Sequence, residues 1–189
     1  MKLASYKSTR AGWQGLFNRL IRWRFSGIYS HSEVVFEPGD GVDALMPDGN
    51  CLPDADGALW CASSVVMERL PAWSRYRAWK VGGVRFKRIA LDPEKWDLLS
   101  AGDADPMFAA MYAVAHEGNP YSWRLIAKLA SWLAAFKVTT QTTCSQFCAA
   151  AFGVPDTDAW RFDPCALRSV IRHLKQPTEE QKCKTTQTT

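Results

Sequence analysis

Apart from one early helical stripe, apolar residues in this chain recur with a period of two before Leu91 and a period near 3.6 after it. The first period belongs to half-buried strands and the second to amphipathic helices. A chain with its strands first and its helices after, and few strand–helix–strand alternations, has little opportunity to build a parallel sheet. It is expected to form an α+β domain in which a small, mainly antiparallel sheet packs against helices.

Residues 2–7 (KLASYK) read as a short strand. Trp13, Leu16, Phe17, Leu20 and Ile21 share one face of a helix over Trp13–Phe25, the early exception. Tyr29–Phe36 (YSHSEVVF) is strand-like and is closed by Pro38-Gly39-Asp40-Gly41. Residues 38–57, rich in Asp, Gly and Pro, read as a long loop. Its Asp48-Gly49-Asn50 start resembles a calcium loop, but Leu52 and Pro53 break the ligand spacing. Strands are expected over Leu59–Met67 and Val81–Leu91, with Gly82-Gly83 marking a bulge or a close backbone approach. Asp92-Pro93 offers an N-cap and first-turn proline for a helix to Ser100. Further helices are expected over Pro106–Glu117, over 121–136, over CSQFCAAAF, and from Asp163-Pro164 to Leu174.

With 189 residues, 47% of them hydrophobic, one domain over residues 1–174 can bury a sizeable core. Residues 175–189 form a polar tail expected to be disordered. Nine tryptophans imply a well-filled core or an apolar binding face. The net charge of +4 helps approach to anionic surfaces without demanding it. The basic face with Arg19 and Arg22 reads as solvated, since no interleaved exposed aromatics accompany it, and nucleic acid is not an expected partner. No apolar run approaches the roughly 20 residues of a membrane span. The N-terminus lacks the continuous apolar core of a secretory signal, so synthesis in the cytoplasm is expected. The six cysteines are then expected as reduced thiols.

Two of those thiols stand one helical turn apart in TTCSQFCAAAFG, residues 142–153. A disulfide between positions i and i+4 of one helix has poor side-chain geometry. Zinc would need further ligands, and Cys165 and His173 match no finger or ribbon spacing. If Thr143 caps the helix, Cys144 lies in the first turn, where free amides and the helix dipole favour a thiolate. Cys148, a turn further in and followed by three alanines, reads as a small core residue. Cys144 taken alone is equally compatible with a buried thiol.

A nucleophile also requires a base. His116 and His173 lie late in expected helices, where a surface or dipole-satisfying role is common. His31 instead opens a strand among small residues, where a ring can face a helix start packed on the sheet edge. To orient that ring, Glu33 shares its strand face but has an awkward reach. Ser63 or Ser64, on a neighbouring strand, is a weaker alternative.

In this order, a short helix, YSHSEVVF, GGVRFKRI, GNPYSW and CSQFCAAAFG resemble the circularly permuted NlpC-type papain-like cysteine hydrolases, in which His precedes Cys. That branch includes YiiX-like bacterial proteins and lecithin retinol acyltransferase relatives, and the likeness extends to proteins of tailed phages and prophages. It spans residues 4–172. The resemblance implies a permuted papain-like fold with Cys144 as nucleophile and His31 as general base and acid. It also implies an oxyanion hole including the Cys144 amide, and Tyr121 lining the substrate cleft. Family members often carry a Glu or His on the next strand as orienter. No acid stands at that distance here, which leaves the role between Glu33 and Ser63. The implied reaction is hydrolysis of an amide in the peptide stem of peptidoglycan, without metal or organic cofactor. Implied partners are other phage tail proteins, with the virion as a second location. Two other classes are compatible with the sequence. One is a phage virion or tail structural protein with a vestigial site, favoured by the missing acid. The other is a lipid acyl hydrolase or acyltransferase, prompted by the tryptophans and the apolar stripe of residues 125–136.

Overall fold

The computed structural model describes residues 1–24, 26–69, 81–121, 143–159 and 161–174. Five strands form one sheet: β1 (Lys2–Tyr6), β2 (His31–Val35), β3 (Leu59–Arg69), β4 (Val81–Ile89) and β5 (Trp96–Ser100). Their order is β4-β3-β2-β1-β5, and every pairing is antiparallel. The described helices are α1 (Gly12–Arg24), α2 (Pro106–His116), α3 (Cys144–Ala151), the single turn α4 (Asp156–Ala159) and α5 (Pro164–Leu174). The α+β architecture expected from the order of the two periodicities is the one observed.

One face of the sheet carries Leu3, Val34, Ala62, Val84 and Phe86, which form the main core with Phe147, Cys148, Leu167 and Ile171 of the helices. Helix α3 lies at the centre of that layer, packed on β2 and β3 and flanked by α2, α4 and α5. All eight of its residues are buried. Six of those eight side chains are small, and Ala149–Ala151 in succession let the helix backbone approach its neighbours closely. The other sheet face carries a smaller cluster of Ala4, Tyr6, Val35, Cys61 and Trp96.

The loop after β2 contains a short 3₁₀ turn, Asp43–Leu45. Arg88 pins this loop through Asp48 and the Leu52 and Ala58 carbonyls, with its guanidinium 4.7 Å from the Trp60 ring centre. Cys51, Cys61, Cys144, Cys148 and Cys165 are free thiols. Among the described residues no helix is long and apolar enough to cross a membrane. The expected helix over 121–136 and the tail 175–189 lie outside the described residues, apart from Tyr121.

Two expectations are corrected. The helix expected from Asp92-Pro93 is a turn leading into β5. Asp92 closes the turn by accepting from the Glu94 and Lys95 amides, and the next five residues pair with β1. Tyr6 and Trp96, opposite each other in register, meet edge to face at 4.9 Å. In α1, Ile21 is buried, but Leu16 and Leu20 of the same apolar stripe face solvent.

Gly82 and Gly83 fall inside β4 and fulfil both roles expected of them. The register shifts between Val65 and Arg69 opposite them. At Gly82 (φ +81°) a Cβ would lie 2.3 Å from the Val66 carbonyl oxygen, and at Gly83 (φ +121°) 2.6 Å from that of Asn119. Only glycine tolerates such conformations and contacts. The approach is sealed by hydrogen bonds from the Val84 amide to the Asn119 carbonyl and from the Gly118 amide to the Val84 carbonyl, each 2.9 Å.

Candidate active site

Thr143 opens α3 with a reciprocal cap. Its hydroxyl accepts from the Gln146 amide at 3.4 Å, and the Gln146 side-chain oxygen accepts from the Thr143 amide at 2.9 Å. Such a box satisfies two of the four donors that a helix start leaves unpaired. The amides of Cys144 and Ser145 stand between the two that the box takes. Cys144 is therefore the first residue of the helix, as the sequence suggests if Thr143 is the cap. It is 5% exposed, whereas Cys148 is fully enclosed.

The start of α3 meets the start of β2. His31 is the first residue of that strand, opposite Tyr6 of β1, and its side chain is 14% exposed. The Cys144 sulfur faces the same cleft as the ring, close enough for its charge to act on the imidazole. His31 Nε2 lies 2.7 Å from Glu33 Oε1. An ionised carboxylate only accepts, so Nε2 carries a proton toward Glu33 and Nδ1 is left to face the thiol. Burial disfavours the imidazolium, but the Cys144 sulfur, as a thiolate, and then Glu33 outweigh it and raise the His31 pKa to about 9.

Glu33 is completely buried, and its charge is answered by Arg85, itself 1% exposed. Nη1 of Arg85 donates to Oε2 at 2.8 Å and Nη2 donates to Oε1 at 2.7 Å. Burial alone would raise the Glu33 pKa; Arg85, then His31, overcome that and hold it at about 2. Arg85 also donates to Glu68 through Nη2 at 3.1 Å and Nε at 3.3 Å, and Lys87 binds the other Glu68 oxygen.

An open cleft exposes this arrangement. Cys144 and His31 line it together with Tyr121, which is 5% exposed. Burial, with Cys144 nearby, pushes the Tyr121 phenol well above its ordinary value, so it stays a neutral hydroxyl over the thiol. Ile21 and Val65 supply apolar wall, while Asn18 and Glu68 add polar groups.

The structure thus brings together Cys144, His31, Glu33 and Tyr121, four of the five residues singled out in the sequence. The reach of Glu33 is not awkward, because residues two apart on a strand share a face and the carboxylate is held in place by Arg85. Ser63 is corrected: its hydroxyl donates to the Ser32 carbonyl at 2.6 Å and does not orient the imidazole. Sequence reasoning passes over Arg85 and Glu68. No local signal marked Arg85, because its core neighbours Val84 and Phe86 place it on the opposite face of the strand, and only the assembled sheet shows that it is buried there beside an acid. His116 takes the expected minor role, stacked on Tyr112 at 3.9 Å with Nδ1 on the Tyr112 carbonyl. His173 is exposed in the last turn of α5.

Among the described residues, no group of three or more His, Cys, Asp or Glu side chains is gathered so as to hold a metal ion. No protein-family model, curated protein or solved structure matches the chain.

Proposed function

We propose that the protein is a cysteine hydrolase of amide or ester bonds. The observation that carries this reading is the thiol at a capped helix start, lining one cleft with an imidazole whose Nε2 is held by a buried carboxylate. In this scheme Cys144 gives its proton to His31 and attacks the substrate carbonyl. The tetrahedral oxyanion is met by the first-turn amides of α3, including that of Cys144. His31, as imidazolium, protonates the leaving group, and an acyl-enzyme forms at Sγ. His31 then takes a proton from water, which attacks the thioester; collapse releases the acid and restores the thiol.

The resemblance to permuted papain-like hydrolases supports a peptide stem of peptidoglycan as substrate, in a phage or bacterial setting. An open cleft with apolar walls and a few polar groups suits an extended peptide. The alternative of a vestigial site in a phage structural protein was prompted by the missing acid on the next strand; the Glu33 carboxylate 2.7 Å from His31 Nε2 on the same strand favours the active reading.

The test combines labelling with hydrolysis. Iodoacetamide is expected to modify Cys144 while leaving Cys148 nearly untouched, since burial raises the Cys148 pKa and encloses the sulfur. Cys144→Ala should lower release of stem-peptide fragments from purified peptidoglycan by a factor on the order of 10³ or more, whereas Cys148→Ala should stay within about tenfold of wild type. Equal, slow labelling of both thiols, with hydrolysis unaffected by Cys144→Ala, would sink the proposal.

A further inference from the structure

We infer that Arg85 is a positioning residue of this site, holding Glu33 as an ionised, oriented acceptor so that His31 presents the correct ring nitrogen to Cys144. The inference rests on the hydrolase reading for its catalytic meaning, but the geometry behind it is independent of any substrate. In the sheet, β3 lies between β4, which carries Arg85, and β2, which carries Glu33. The guanidinium therefore reaches across a whole strand to grip the carboxylate. It crosses at Ser63, its direct partner in the β3–β4 register, where a small side chain leaves room. This gives Ser63 a steric part in the site in place of the electronic one considered from sequence.

The fork fixes both carboxylate oxygens, and Oε1 is shared between Arg85 and His31, each at 2.7 Å. A charged fork of this kind sets direction as well as charge. Without it, a fully buried Glu33 would take up a proton and become a donor. The proton on Nε2 would then be in conflict with it, favouring the other tautomer, in which Nδ1–H faces the thiol and cannot accept its proton. Glu68 anchors the guanidinium from the far side and is itself held by Lys87.

Other groups surround this network. Tyr6 of β1 stands opposite His31, and Trp96 of β5 meets the ring edge at 6.3 Å. Tyr121 shares the cleft wall, with Arg10 at its rim. Cys61 and Cys148 lie near Glu33 and Arg85, and burial keeps both as neutral thiols. Among the described residues, Glu33 and Glu68 face Arg85, and of the two Glu33 also touches the imidazole.

A role limited to stability predicts that Arg85 variants fold less well yet leave His31 unchanged wherever they do fold. Ring ¹⁵N shifts of His31, followed against pH in the full-length wild type, Arg85→Gln and Arg85→Lys, separate the two roles. In Arg85→Gln that retains native circular dichroism, His31 should titrate about one pH unit lower or more, with the tautomer reversed. Iodoacetamide labelling of Cys144 at neutral pH should slow about tenfold or more. Arg85→Lys keeps the cation without the fork and should give a smaller shift in the same direction. A folded Arg85→Gln whose His31 titration and Cys144 labelling match wild type overturns the inference. If the Gln variant does not fold, an Arg85→Lys titration identical to wild type does so. A wild type that hydrolyses nothing, together with a Cys144→Ser variant whose His31 titration is unmoved, would count against the hydrolase reading alone. The dependence of the ring on Arg85 would still be measured in that case.

Discussion

Glu33 reaches His31 because an extended strand repeats its side-chain direction every second residue, about 7 Å along the chain. A glutamate is long enough to bridge that gap once its carboxylate is held. Cys144 and His31 could be singled out as candidates in advance, because a capped helix start and a strand start are local features, but spacing could not pair two residues so far apart in the chain. The orienting acid could not be chosen in the same way, since what favours Glu33 over Ser63 is an arginine two strands away. The two candidates can be separated by measuring Cys144 alkylation against pH. In wild type the alkaline change should fall near pH 9, as the His31 imidazolium loses its proton. Glu33→Gln removes an anion that favours the imidazolium, so the change should move to lower pH, with hydrolysis down on the order of 10²–10⁴-fold. Ser63→Ala should leave the alkaline change in place. A profile moved by Ser63→Ala but not by Glu33→Gln would reverse the assignment.

Among the elements, α3 was the most legible, because Thr143 and Gln146 write a capping box into the sequence and Gly153 follows its end. Loss of the Thr143 hydroxyl in Thr143→Ala should cost about 1 kcal/mol of stability by urea denaturation. It should also slow Cys144 labelling, because a frayed first turn loosens the thiol from His31. Unchanged labelling in the presence of the stability loss would show that the sulfur is held by its surroundings rather than by the cap. The strand β5 was illegible for the opposite reason. Five residues cannot establish a period of two, and Asp92-Pro93 is as suited to a turn as to a helix start. The free edge of β1 decided between them, and an edge exists only once the sheet has formed.

At the scale of the whole molecule, the arrangement of strands before helices indicated the architecture, while the strand order did not follow from any segment. The sheet places a buried Glu33–Arg85 pair where three strands meet one side of the site, and the fold carries that pair's pH dependence. Glu33 has a folded-state pKa of about 2, below its ordinary 4.5. Its contribution is thus fully present above pH 4.5 and is lost as pH falls toward 2, where the folded carboxylate is finally protonated. The span corresponds to at most about 3 kcal/mol. Urea midpoints measured from pH 5 down to pH 2 should fall more steeply in wild type than in Glu33→Gln; parallel curves would remove this pair from the acid sensitivity of the fold.

The glycine crossing of β4 over residues 118–119 has a consequence for how errors spread through the site. Arg85 stands two residues beyond Gly83 on one chain of that crossing, and Tyr121 two residues beyond Asn119 on the other. The acid's anchor and the wall over the thiol therefore share one point of attachment. A disturbance there displaces both at once, so the two sides of the site are bound to drift together, and neither can be retuned without the other being refitted.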